Sequence, residues 1–133
     1  MKIKNKLTIL AFHSANVILT IFYLYPGSLF GCYLYNNCNI QPQITSNFII
    51  SSNYSIASNH FYVFFILSAL GIFAYQNTKK IKFIIIYLLL LSIILELFHL
   101  IITSRGFEWS DLFGNILGLL FVIIIYKVKI KYV

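Results

Sequence analysis

FIIIYLLLLSIILELFHLIIT, residues 83–103, decides the fold. Twenty-one residues are broken only by Ser92, Glu96, His99 and the closing threonine, and Ile84 to Leu91 shows no polar face at a 3.6-residue period. A soluble amphipathic helix needs such a face. A run of about 20 apolar residues matches a hydrocarbon core of roughly 30 Å, so the stretch reads as a membrane-spanning helix.

Three further runs of the same kind lie on either side of it. The spans are expected near residues 7–25, 60–76, 83–103 and 111–127, in a single membrane domain covering 1–133. Pro26-Gly27 closes the first, a pair that cannot continue a helix. Its length and its Tyr-Pro-Gly ending fit a span rather than a cleavable signal segment. The composition agrees: 60% of residues are hydrophobic and 10% charged, and mean hydropathy is +0.88, outside the range of a soluble globular domain. The expected fold is an all-α four-transmembrane-helix bundle.

Lysine placement predicts its orientation. Lys2, Lys4 and Lys6 precede the first span, Lys79, Lys80 and Lys82 separate the second from the third, and Lys127, Lys129 and Lys131 follow the fourth. By the positive-inside rule, both termini and the central connection are cytoplasmic. The net charge of +7 then expresses topology and contact with membrane lipids, and no nucleic-acid partner is expected.

The first outward loop, 26–59, carries no charge and reads as interfacial or folded back over the bundle. Its Cys32 and Cys38 fit either a disulfide or two unpaired thiols. A metal set of Cys32, Cys38, His60 and His99 has a loose C-x5-C spacing. No metal and no cofactor are expected.

Chemistry concentrates between the last two spans. All three carboxylates, Glu96, Glu108 and Asp111, and the only arginine, Arg105, fall within residues 96–111. Lysine outnumbers arginine nine to one, as an AT-rich genome would impose, so a lone arginine is informative. Glu96 and His99 share one helix face, and Asp111, Asn115 and Gly118 repeat at i, i+4 and i+7 on the next. A short connection makes the two helices antiparallel neighbours, bringing both faces into one polar cluster. Glu108 reads as solvated turn surface, His13 as an interhelical hydrogen bond, and His60 as an interfacial residue or a member of the cluster.

Three readings of the cluster stand. It locks the helices together; or Arg105, with His60 or His99, binds an anionic group through its guanidinium fork; or Glu96 or His99 is a general base acting on a lipid phosphate. No nucleophile-base pair or metal motif favours the enzyme reading, which leaves catalysis undecided and leaning to the negative.

The string Glu96-x-x-His99, Arg105, Phe107, Asp111-x-x-x-Asn115-x-x-Gly118 resembles the E-x-x-Q, R, D-x-x-x-N-x-x-G pattern of the VanZ-like family of small membrane proteins. His60-Phe61 with Leu70-Gly71, and Tyr25-Pro26-Gly27, are similar to that family's earlier spans. The chain departs from the pattern at His99, where glutamine is usual, at Ile56-Ala57, where an acidic-basic pair is common, and at Val122. The resemblance implies a multi-pass protein of a bacterial cytoplasmic membrane, acting at the cell envelope. It further implies an antibiotic-resistance role of the teicoplanin type, and the anionic group that Arg105 is expected to meet would belong to a lipid, a lipid-linked precursor or a glycopeptide.

Overall fold

The computed structural model describes residues 2–42, 45–51, 54–102 and 106–132, with side chains of residues 2–5 and 51 left aside. Their elements run α1 (Lys2–Leu24), α2 (Leu29–Tyr35), β1 (Phe48–Ser51), β2 (Tyr54–Ile56), α3 (Ser58–Tyr75), α4 (Ile81–Phe98) and α5 (Trp109–Tyr132). Helices α1, α3, α4 and α5 are long and apolar enough to cross a membrane, since 18 residues at 1.5 Å each rise about 27 Å.

Helix α4 stops at Phe98, short of the expected residue 103. Beyond it, His99, Leu100 and Ile101 donate their N–H groups to the carbonyls three residues back, the tighter winding common at helix ends. Hydropathy is blind to this change because Leu100 and Ile101 stay apolar and exposed. The shorter helix puts Glu96 in the last turn rather than two turns inside.

The long helices alternate in direction. His13 of α1 meets Tyr75 at the end of α3, and the Tyr126 hydroxyl near the end of α5 donates to the Gln76 carbonyl. At the opposite end, Tyr23 meets His60 and His99. Lys6, Lys79, Lys80, Lys82, Lys127, Lys129 and Lys131 therefore collect at one end, and Glu96, Glu108 and Asp111 at the other.

Helices α3 and α5 make the closest approach. A Cβ at Gly114 would lie 2.7 Å from the Ala57 carbonyl oxygen, and one at Gly118 would lie 2.4 Å from that of Phe61. Small residues let two helix backbones approach this closely. The α5 stripe meets α4 as the sequence reading expects, Asn115 reaching the Ser92 carbonyl, and its glycines seat α5 on α3 as well. Below the polar end, Phe12, Leu67, Ala74, Tyr75, Leu88 and Leu119 form the core, and Tyr23, Phe64 and Leu95 form a second cluster nearer the site.

The connection between α1 and α3 folds back over one end of this bundle. Ser28 caps α2 through its hydroxyl, Asn36 ends it with φ 51°, and Cys32 and Cys38 are joined as a disulfide. Strands β1 and β2 pair antiparallel, with Phe48 opposite Ile56 and Ile49 opposite Ser55. The Phe48 ring meets Phe61 edge-on at 5.6 Å, which fastens the hairpin to α3.

Candidate functional site

Four helix ends converge beneath this loop. The last turn of α1 supplies Tyr23, the first turn of α3 His60, the last turn of α4 Glu96 and the adjoining His99, and the start of α5 Asp111 and Asn115. Glu96, His99 and Asn115 are buried, while His60 and Asp111 are partly open.

The centre is Asn115. Its side-chain N–H donates to the Ser92 carbonyl at 3.3 Å, which turns Oδ1 toward Tyr23 and His60. The Tyr23 hydroxyl donates to that Oδ1 at 2.6 Å, and His60 Nδ1 lies 3.0 Å from the hydroxyl and 3.2 Å from Oδ1. The tyrosine proton is committed to Asn115, and both atoms facing Nδ1 carry lone pairs, so Nδ1 is assigned the His60 proton. Nε2 of the same ring then faces Asp111 Oδ2 at 3.2 Å.

A second pair stands beside it. His99 Nδ1 is 3.3 Å from Glu96 Oε1, three residues earlier, and Nε2 is 3.2 Å from the Tyr23 carbonyl. A carbonyl only accepts, so Nε2 carries a proton, and one further proton lies between Nδ1 and Glu96. The His99 ring also stacks on Tyr23, centroids 5.8 Å apart. With both nitrogens engaged and the ring buried, His99 is placed to hold structure rather than to exchange protons with a ligand.

Glu96 Oε1 accepts the backbone N–H of Glu108 at 3.2 Å, fixing the entry to α5. The Glu108 side chain is exposed and accepts from the Ser110 hydroxyl. Gly118 lies deeper, against α3, and serves packing. Arg105 lies outside the described residues. Cys32 and Cys38, bonded to each other, take no part, so the cysteine-histidine metal set does not form. His60, Glu96 and Asp111 do come together, each with one ligand atom within 4.8 Å of the others.

Tyr23, Ser92 and the loop amides were missed by sequence reading. A tyrosine at a span end looks like an interface anchor, and only the three-dimensional position of Asn115 distinguishes it. Ser92 acts through its backbone carbonyl, which has no sequence signal.

Two cavities meet at this site. One, of about 290 Å³, is polar and lined by residues including Asn39, Gln41, Asn47, Asn59, His60 and Asp111. The other, of about 440 Å³, is an apolar groove between α1 and α3, lined by residues including Leu19, Phe22, Val63 and Ile66. Gln41, Asn59 and His60 belong to both.

Fold and site together define a small, mostly helical chain, four of whose helices are long and apolar enough to cross a membrane, with a polar pocket at one end of their bundle. No family model matches the chain, and neither the curated proteins nor the solved structures contain a match to it.

Proposed function

We propose that the chain is a VanZ-like multi-pass protein of the bacterial cytoplasmic membrane, its lysine end cytoplasmic, and that its outward end binds an amphiphile of the lipid class. The observation that carries this reading is the shared lining: a polar pocket and an apolar groove meet at Gln41, Asn59 and His60. An amphiphile fits that shape, its chain in the groove and its head among the amides of Asn39, Gln41 and Asn47. Arg105, six residues before Asp111 in the sequence, is proposed to meet an anionic head as a bidentate donor. A lipid-linked envelope precursor satisfies both requirements. Sequestering or presenting such a precursor links the chain to glycopeptide resistance of the teicoplanin type.

The test is retention of lipid by protein purified in mild detergent and examined by native mass spectrometry. Wild type is expected to carry lipid at one per chain, and Ile66→Trp, a change at an exposed groove residue, to lose it at least tenfold while keeping its melting temperature. Equal retention by both proteins overturns the groove assignment. A deletion strain complemented with wild type or Arg105→Ala tests the cellular role, and unchanged teicoplanin sensitivity in all strains removes it.

A further inference from the structure

Glu96 is fully buried, and its Oε2 has no hydrogen-bond partner among the described residues. A carboxylate oxygen without donor or solvent is costly at this depth. The cost is not met by a nearby ammonium, since the described lysine side chains all collect at the far end of the bundle. His60 Nε2 stands 3.2 Å from Asp111 Oδ2, a contact that needs a proton or a cation between the two atoms. A cation seated there is also within reach of the Glu96 carboxylate, since one ligand atom from each of the three residues lies within 4.8 Å of the others.

We propose that His60, Glu96 and Asp111 bind one divalent first-row metal ion, of the zinc or manganese kind. One imidazole and two carboxylates suit such ions. Ligands at about 2.1 Å from a common ion stand about 3.0–3.4 Å apart at tetrahedral or cis-octahedral angles, and His60 and Asp111 already have that spacing. The full set lies within 4.8 Å, so a small side-chain adjustment at Glu96 closes it. The three ligands come from α3, α4 and α5, and the ion would tie these helices together.

The surroundings are those of a metal centre. His60 Nδ1 is oriented by Asn115 and Tyr23, Asp111 Oδ1 accepts from the Ser110 hydroxyl, and Glu96 Oε1 is held by the Glu108 N–H and His99. Partners of this kind fix ligand orientation and tautomer. His60 and Asp111 also line the polar pocket, leaving coordination positions for water or an oxygen-bearing head group. The inference stands without the lipid reading, because the ligand set is complete in the protein.

Untagged protein, stripped with chelator and delipidated in detergent, is titrated with Zn²⁺ and Mn²⁺, and bound metal is counted after desalting. One equivalent of either ion is expected, with X-ray absorption showing nitrogen and oxygen donors that include a single imidazole. Glu96→Gln and Asp111→Asn are expected to weaken uptake at least about tenfold, as even outer-shell changes do, whereas His13→Ala retains it. Failure of wild type to retain one equivalent overturns the proposal, as does a shell with sulfur or two imidazoles. Because wild type alone supplies both readouts, a poorly folding variant does not blunt the test.

Discussion

Two histidine-tyrosine pairs stand at opposite ends of the bundle, each joining α1 to α3. His13 Nε2 meets the Tyr75 hydroxyl at 2.9 Å, and His60 Nδ1 meets the Tyr23 hydroxyl at 3.0 Å. The residues and the distances are nearly the same, and the surroundings are opposite. His13 is exposed at the lysine end, its pair resting on the Phe12 ring. The Tyr23–His60 pair is linked onward to Asn115, Asp111 and, through the Tyr23 carbonyl, His99. A pair with no hydrogen bond leading onward is a fastening. A pair that continues through buried acceptors can set the orientation of a group facing a pocket.

The contrast is broken most severely at Gly118, since the polar end exists only while α3 and α5 touch. Gly118→Leu is expected to cost at least about 3 kcal/mol, the upper range for overpacking, seen as an early unfolding transition in detergent. Asn115→Ala follows, at about 1–3 kcal/mol, because it removes together the buried bonds to the Tyr23 hydroxyl, to His60 Nδ1 and to the Ser92 carbonyl. Tyr23→Phe removes one node of the network and is expected to cost about 1 kcal/mol. Tyr75→Phe should shift the same transition by less than about 0.5 kcal/mol, since the His13 bond it removes leads on to no further hydrogen bond among the described residues. Equal losses from the two tyrosine changes would show that the ends do not differ as their contacts indicate.

Much of this architecture was legible in the chain. Four long apolar helices followed from apolar run length, and the Asp111, Asn115 and Gly118 stripe followed from helical spacing, as did the contact of Glu96 with His99. His13 makes the interhelical bond expected of it. The meeting of the stripe with α4 was legible, but its close seat on α3 was not, because glycine records closeness without naming the neighbour. Nor was the end of α4, where backbone bonding changes while hydropathy does not. Strands of three and four residues in a loop rich in Asn, Gln and Ser are too short to show alternation. Tyr23 was hidden by its ordinariness: only its bond to Asn115 separates it from other tyrosines at span ends.

The loop over the site has a consequence for how the chain can change over time. Ala57 offers no side-chain cap to α3. The helix start is held instead by Ser58 Oγ donating to the Thr45 carbonyl, Asn59 Nδ2 to the Pro42 carbonyl and the Ala57 N–H to the Ser110 carbonyl. Every residue type supplies a carbonyl, so most loop positions can drift in identity without loosening His60, with Asn47 the one side-chain acceptor among these ties. An inserted or deleted residue would displace several carbonyls together. The loop is thus constrained in length more than in spelling, and variation among descendants of this chain should collect there as substitutions, with its residue count preserved.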